Sequence, residues 1–159
     1  MLTVKLIVLG TLKEKYWRDA VAEYEKRLGA FCRLQIVELK EERLSDDPSE
    51  GEIRQALERE ATRILEQISP RAYPIALCVE GKQVSSEELA RKLGEISEGA
   101  SEICLVIGSS HGLSETVKRT CRMRLSVSEL TFPHQLMRVI LLEAVYRGFN
   151  ILKGTKYHK

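Results

Sequence analysis

Residues 103–107 read Ile-Cys-Leu-Val-Ile, and the loop Gly108-Ser109-Ser110-His111-Gly112 follows them directly. This run is the most apolar of the chain and is too short for a buried helix. A short apolar run that ends at glycine predicts a β-strand buried on both faces. Residues 75–79, Ile-Ala-Leu-Cys-Val, have the same character. Two such strands indicate a parallel sheet that is covered by helices on both faces.

Outward from this stretch, strand-like and helix-like segments alternate. Further strands are predicted at 4–9, 34–39 and 125–127. Five helices are predicted. The first covers 16–28 and ends at Gly29, the second follows a capping box of Ser49 and Glu52, and the third runs from a second capping box of Ser85 and Glu88 to Gly99. The fourth begins at about Ser114, and the fifth covers 134–152. The predicted core positions of the last helix are Leu136, Val139, Ile140 and Tyr146. The alternation predicts an α/β fold, and 159 residues with 43% hydrophobic content fit one domain spanning 1–159.

The overall charge is nearly balanced, but its distribution is not. With 25 basic and 23 acidic residues the chain carries a formal charge of +2, which excludes a general polycation. Residues 40–60 are mainly acidic, whereas from 131 to 159 only Glu143 opposes five cationic side chains. This asymmetry fits a face that meets an anionic partner, and it fits equally an ordinary solvated helix end.

The cysteines and the hydrophobic runs favour a cytoplasmic protein. Cys32, Cys78, Cys104 and Cys121 form no C-x-x-C pair, and we expect all four to be buried thiols. The apolar run at the N-terminus is too short for a secretion signal, and no run approaches the roughly 20 residues that a membrane span needs.

Three loops follow the predicted central strands, at Leu77–Lys82, Gly108–Gly112 and Ser126–His134. The carboxyl ends of parallel strands share one edge of the sheet, and ligands of such sheets bind there. A binding site is therefore expected where these three loops meet.

The loop Gly108–Gly112 offers the first chemical signal. Glycine at both ends allows a positive φ and a close approach of the backbone to a ligand, and the start of the next helix offers free N–H groups. No Lys follows Gly112 and no G-x-G-x-x-G is present, so neither nucleotide-binding pattern applies. A plain tight turn between strand and helix explains the loop as well.

The same loop also matches the G-x-S-x-G pattern of serine hydrolases. In that alternative Ser110 is the nucleophile, His134 or His158 the base, and Glu129 or Glu143 the orienting acid. Three fixed positions arise easily by chance, and 159 residues are few for that class of enzyme. A non-catalytic RNA-binding module is a further alternative.

The C-terminal segment is unusually rich in polar chemistry. His134 begins the last helix, Arg138, Glu143 and Arg147 lie along it, and Tyr157-His158-Lys159 end the chain. Terminal residues normally fray, so we expect this end to be functional. The helical charges fit solvated or self-paired side chains as well, and the last three residues fit a disordered stub.

Several short motifs together resemble the RlmH (YbeA) family of SPOUT-class methyltransferases, over the whole chain and at nearly constant length. They are Gly10 with Lys-Glu-Lys-Tyr-Trp at 13–17, Glu-Tyr-Glu-Lys-Arg-Leu at 23–28, Gly81-Lys82, Ile107-Gly108 with Gly112-Leu113, Thr-Phe-Pro-His at 131–134, Met-Arg-Val at 137–139, Val-Tyr-Arg at 145–147 and Tyr-His-Lys at 157–159.

The resemblance implies a homodimer with a C-terminal trefoil knot. It also implies transfer of a methyl group from S-adenosyl-L-methionine to N3 of pseudouridine 1915 in 23S ribosomal RNA. The modest net charge predicts weak binding of free RNA, so the expected target is the assembled ribosome. No metal and no membrane are implied.

The resemblance also implies roles for individual residues. The implied cofactor contacts are Leu77, Gly108, Val127, Ser128, Glu129, Leu130, Thr131 and Phe132. The implied reaction requires N3 to lose a proton, for which His134 and His158 are the candidate acceptors. Arg138 and Arg147 would hold phosphates or stabilise the developing charge, so these four are the predicted catalytic residues. Lys156, Tyr157 and Lys159 are the predicted RNA contacts. One departure is Ser109, which stands where the family commonly has a second glycine. If this position needed a positive φ, serine would cost on the order of 1 kcal/mol and weaken cofactor binding.

Overall fold

The structure is a computed structural model that describes residues 1–159. Its elements, in chain order, are β1 (Thr3–Leu9), α1 (Lys15–Leu28), β2 (Arg33–Leu39), α2 (Glu50–Gln67), β3 (Ala72–Gln83), α3 (Ser86–Gly99), β4 (Glu102–Ile107), α4 (Glu115–Thr120), β5 (Met123–Ser126) and α5 (His134–Lys153). The five strands form one sheet in the order β2-β1-β4-β3-β5, and every pair is parallel. The predicted α/β fold is confirmed.

The central strands are buried on both faces because apolar side chains occupy successive positions. Along β4, Ile103 and Leu105 point into the larger of two hydrophobic clusters, whereas Cys104 and Val106 point into the smaller one on the opposite face. Side chains of a strand alternate between the faces of its sheet, so a continuous apolar run serves both clusters.

The helices cover the sheet unequally. Helices α1, α3 and α5 contribute Val21, Leu93 and Leu142, among others, to the larger cluster. Helices α2 and α4 contribute Ile64 and Val117 to the smaller one. Helix α5, which begins at the pocket described below, is thereby fixed to α1 and α3.

The core face of α5 differs from the prediction. The buried apolar residues are Leu141, Leu142, Val145 and Phe149. Of the predicted core positions, Val139 and Tyr146 are half-buried and pack against the larger cluster, whereas Leu136 and Ile140 are half-buried and do not. The helix is apolar on most of its circumference, so periodicity alone could not tell its inner stripe from its outer one.

The helix starts follow the capping signals in the sequence, with one correction. Ser49 and Glu52 form the full capping box. Ser85 accepts a hydrogen bond from the Glu88 N–H (3.1 Å), but the Glu88 carboxylate does not return one, so this second box is half formed. Gly29 ends α1 with right-handed rather than left-handed backbone angles.

Strands β3 and β5 have other bounds than predicted. Strand β3 is longer than 75–79, and β5 begins and ends earlier than 125–127. Pairing between them shifts register between Leu77 and Lys82. A Cβ on Gly81 would lie 2.7 Å from the carbonyl carbon of Leu125, so the two strands approach each other closely because residue 81 is glycine.

The prediction of four buried thiols is correct for two cysteines. Cys32 and Cys104 are buried, whereas Cys78 and Cys121 are half-buried. Burial raises the pKa of Cys32 to about 11 and that of Cys104 to about 12. All four are free thiols. None of the helices is long and apolar enough to cross a membrane.

Candidate active site

Three segments line one pocket of about 720 Å³: residues 77–80 of β3, where its pairing with β5 shifts register, the loop after β4 and the loop after β5. The strand register explains why they meet. Leu77 of β3 pairs with Ile107 of β4 on one side and with Leu125 of β5 on the other. Strand β4 ends at this level, β5 ends one residue later, and β3 shifts its register with β5 here, so the three segments meet. The predicted convergence is confirmed, but the predicted loop Leu77–Lys82 is wrong, because these residues belong to β3.

The pocket walls are mixed in character. Ten of the 22 lining residues are hydrophobic, among them Leu77, Leu113 and Leu125. A larger open groove of about 840 Å³ lies at the opposite, amino-terminal edge of β3 and β4, but only four of its 12 lining residues are hydrophobic. Small-molecule sites combine apolar walls with a few polar groups, so the loop pocket is the stronger candidate.

The β4–α4 loop is a tight turn. The N–H of Gly112 donates to the carbonyl oxygen of Ser109 (2.8 Å), and Gly112 has a φ of +88°. A Cβ on Gly108 would lie only 2.3 Å from the carbonyl oxygen of Gly112. Glycine is therefore needed at both ends, at 112 for its φ and at 108 for the close approach.

Ser109 is not strained in this turn. No residue other than glycine has a positive φ. The condition for the expected cost of replacing the usual glycine, a positive φ at position 109, is therefore not met.

The loop after β5 is folded on itself by serine side chains. Ser126 Oγ donates to the carbonyl oxygen of Ser128 (3.0 Å), and Ser128 Oγ accepts from the N–H of Leu130 (3.0 Å). Of the predicted cofactor residues here, Glu129 alone does not line the pocket. Leu130 is 69% exposed, so its apolar side chain lies at the mouth.

Two charged residues that sequence reasoning missed also line the pocket. Lys118 of α4 donates a hydrogen bond to Glu80, and this bond holds the pKa of the Glu80 carboxyl below its ordinary value. Glu80 lies in the segment Leu77–Lys82, which was predicted to face the site, but nothing local pointed to Lys118. No group of three or more His, Cys, Asp or Glu side chains is placed to hold a metal ion.

Of the predicted catalytic residues, His134 alone lines the pocket. It begins α5, so the loop after β5 delivers it directly. Comparison with known proteins can now be set beside this geometry. A family model described as "Predicted SPOUT methyltransferase" matches residues 2–158.

The chain belongs to the SPOUT methyltransferase family. Enzymes of this family generally use S-adenosyl-L-methionine as the methyl donor. Among solved structures, the chain resembles a probable methylase family protein from Haemophilus influenzae Rd KW20, with a TM-score of 0.56 over 98% of this chain and 70% of that chain. The two sequences are 14% identical, so this likeness shows the fold alone.

In this SPOUT methyltransferase Arg138 lies outside the pocket. Its side chain is 2% exposed and pairs with Glu38 Oε2 (2.7 Å). It also donates to the carbonyl oxygens of Leu9 (3.3 Å) and Gly10 (2.9 Å). Arg138 thus ties the first turns of α5 to the carboxyl ends of β1 and β2. Its predicted catalytic role remains a prediction.

Arg147 and His158 also lie outside the pocket of their own chain, in a cluster with the C-terminal residues. Arg147 donates to Glu143 Oε1 through Nε (2.9 Å) and Nη2 (2.7 Å). The hydroxyl of Tyr157 donates to Glu143 Oε2 (2.9 Å). The Arg147 guanidinium lies 4.7 Å from the centre of the Tyr157 ring. Tyr157 and His158 are half-buried, which rules out a disordered stub for them.

Glu143 is the charged centre of this cluster. Burial opposes its ionisation, but Tyr24, Tyr157 and Arg147 together outweigh burial and hold the pKa of Glu143 below its ordinary value. For Tyr24 the same contacts act in the opposite sense, since burial and the neighbouring carboxylate raise its pKa to about 12.

The partners of His158 define its tautomer. Arg147 Nη1 lies 3.2 Å from His158 Nδ1, and an arginine can only donate. Nδ1 must therefore be the acceptor, and Nε2 carries the proton that it donates to Glu87 Oε1 (2.8 Å). Both ring nitrogens are thus engaged. The remaining predicted RNA contacts, Lys156 and Lys159, are exposed on the same segment.

The geometry gives no support to a serine hydrolase. A nucleophile elbow holds its serine in a strained turn, yet Ser110 has a negative φ. No hydrogen bond joins Ser110 to a histidine, and Glu143 is committed to Arg147 and Tyr157. The simple tight turn between strand and helix is what the loop forms.

Proposed function

We propose that this SPOUT methyltransferase is an enzyme of the RlmH type, which transfers a methyl group from S-adenosyl-L-methionine to N3 of a pseudouridine in 23S ribosomal RNA of assembled ribosomes. The observation that carries the proposal is the convergence of residues 77–80 of β3 and the loops after β4 and β5 on one pocket. The motifs that resemble the RlmH family lie partly in these loops.

The pocket fits the proposed cofactor in size and chemistry. Its volume of about 720 Å³ lies in the range of small-molecule sites. Leu77, Leu113 and Leu125 offer apolar surface for an adenine ring, and the Gly108 backbone allows a close approach. The loop 127–132 would supply polar backbone groups. We propose Leu77, Gly108 and Val127–Phe132 as the cofactor residues. Glu129, which does not line the pocket, would act from outside it.

The chain's own residues would act mainly by holding the cofactor and the base in position for the transfer. The bound cofactor supplies a methyl group that its sulfonium already activates, so no metal is needed. N3 of the base must lose a proton. His134, at the pocket wall, is the better placed acceptor because both ring nitrogens of His158 are engaged in its own chain.

In a homodimer, the C-terminal cluster of one subunit would lie at the pocket of the other. The outer stripe of α5, with Leu136 and Ile140, is apolar and half-buried, which suits contact with a second copy. We propose that Arg147, Tyr157, Lys156 and Lys159 serve the partner's pocket, where they would contact RNA phosphates, and that His158 holds this segment against Glu87 of α3. The trefoil knot in the C-terminal part of the chain, which the resemblance implies, is part of this proposal.

The test is methyl transfer from S-adenosyl-L-methionine that carries a labelled methyl group. Ribosomes, free 23S ribosomal RNA and a nonspecific RNA are compared as acceptors. We expect label in the 23S RNA of ribosomes, at N3 of one pseudouridine, and little in free RNA. Label at another atom or only in free RNA would refute the proposed substrate, and no transfer to any RNA would refute the activity.

A further inference from the structure

The Gly108–Gly112 turn has open space on both of its sides. One side is the cofactor pocket. The other is a cavity of about 210 Å³ between the turn, α2 and the acidic loop that contains Glu41 and Glu42. Ser109, Ser110 and His111 border both spaces. A segment without close packing on either side depends on polar contacts for its position.

One such contact joins the turn to α2. Ser109 Oγ donates a hydrogen bond to Glu60 Oε1 (3.0 Å). The other oxygen of Glu60 accepts from the N–H of Glu42 (2.9 Å). Glu60 is 3% exposed and lies between Ala56 and Ile64 on the buried face of α2. A buried acid in an apolar stripe is unusual, and here both of its oxygens have partners.

The far end of this chain of contacts is also fixed. Glu42 pairs with Arg63 Nη2 (2.5 Å), and Arg63 Nη1 donates to the carbonyl oxygen of Lys40 (2.9 Å). The acidic loop is thereby anchored to α2 near Glu60. The Glu60 carboxylate therefore has a fixed position from which it can hold Ser109.

We propose that Glu60 is a positioning residue for the cofactor pocket, and that its hydrogen bond to Ser109 holds the Gly108–Gly112 turn where S-adenosyl-L-methionine binds. The inference rests on the proposed function, since it concerns the affinity of the same pocket. Glu60 does not line that pocket, so it acts through the turn. Burial raises the pKa of Glu60 despite its two hydrogen bonds, which makes the buried acid a poor source of stability.

The first test compares two hydroxyl–carboxylate contacts of α2. Ser109→Ala removes the contact at the pocket. Thr116→Val removes the contact of Thr116 Oγ1 with Glu58 (3.1 Å and 3.2 Å), which lies outside the pocket. By calorimetry we expect Ser109→Ala to weaken binding of S-adenosyl-L-methionine by on the order of fivefold. Thr116→Val should leave it within about twofold.

The second test distinguishes positioning from general stability. In Glu60→Gln the amide oxygen can accept from the Glu42 N–H while its NH₂ donates to Ser109 Oγ. Glu60→Met has a similar shape but no polar group. We expect Gln to retain the affinity and Met to lower it at least as much as Ser109→Ala. Hydrogen exchange at the Gly112 N–H, which bonds within the turn, should be faster in Ser109→Ala and Glu60→Met only.

The outcomes separate the two proposals. A wild-type protein that does not bind S-adenosyl-L-methionine overturns the proposed function and this inference with it. Binding by wild type with unchanged affinity in Ser109→Ala overturns the inference alone, as does an equal loss in Thr116→Val. If Glu60→Met does not fold, the comparison of Ser109→Ala with Thr116→Val still tests whether the contact between Ser109 and Glu60 supports cofactor binding.

Discussion

At the scale of single residues, the burial of two charged side chains is the feature that the sequence analysis did not predict. Arg138 and Glu60 are 2% and 3% exposed. Glu60 had a local signal, because it interrupts the apolar face of α2 between Ala56 and Ile64. Arg138 had none, because its partner Glu38 is 100 residues away in sequence. Long-range ion pairs of this kind are outside the reach of periodicity or local motifs.

The contacts of Arg138 predict a structural role. Arg138→Met leaves Glu38 and the carbonyl oxygens of Leu9 and Gly10 without their donor, and it should lower the free energy of unfolding by about 2–4 kcal/mol. Denaturant unfolding measures the loss. Arg147→Met, at a partly exposed pair, is the matched control and should cost about 1 kcal/mol. Equal costs for the two variants would contradict a clamping role for Arg138.

The Glu143 cluster predicts a dependence on pH. The folded-state pKa of Glu143 is lowered, so its stabilising contribution is present above the ordinary carboxyl pKa of about 4.3 and is lost as the pH falls through the lowered value. Tyr157→Phe removes one hydrogen bond to this carboxylate. At pH 7 it should therefore cost about 1 kcal/mol, and the cost should shrink below about pH 4.

Unfolding titrations of wild type and Tyr157→Phe at several pH values measure this difference. Tyr16→Phe, at a ring that is 64% exposed, is the control and should show no such dependence. A gap between wild type and Tyr157→Phe that stays constant down to pH 3 would mean that Glu143 is not the group responsible.

At the scale of elements, the strands and most helix starts could be predicted, because apolar runs and serine caps are local signals. The full length of β3 could not. Its residues after Leu77 pair with β5 only because Gly81 lets the two chains approach closely. The inner face of α5 was also beyond prediction, since its apolar residues surround most of the helix.

Two glycines test the close approach of the parallel strands β3 and β5. Gly81→Ala places a Cβ 2.7 Å from the Leu125 backbone and should destabilise the protein by about 1–3 kcal/mol. Gly99→Ala, at the end of α3 with nothing within 4 Å, should stabilise it by about 0.5–1 kcal/mol. Thermal unfolding of both variants measures the effects. If Gly81→Ala does not destabilise the protein, β3 and β5 approach each other less closely than described.

At the scale of the whole molecule, the convergence of the three segments could be predicted, because ligands of parallel sheets bind at the carboxyl ends of the strands. That residues 77–80 stay in β3 could not, because it depends on the shifted pairing with β5. The place of the C-terminal cluster could not. It depends on how Tyr157 and His158 fold back on Glu143 of α5 and Glu87 of α3. Such contacts of the chain end leave no periodic signal.

The division of labour between pocket and C-terminal segment can be tested by deletion. Removing residues 157–159 should abolish methyl transfer to ribosomes while the affinity for S-adenosyl-L-methionine changes by less than about twofold, because none of these residues lines the pocket. Transfer assays and calorimetry measure the two quantities. Loss of both properties, or of neither, would count against the division.

The most direct test of the central claim is hydrogen exchange with and without S-adenosyl-L-methionine. The claim is that residues 77–80 of β3 and the loops after β4 and β5 together form the cofactor site. The cofactor should slow exchange in residues 77–80, 107–113 and 126–134 and leave the groove around residues 69–74 and 99–101 unchanged. Protection confined to that groove, or no protection at a saturating cofactor concentration, would contradict it.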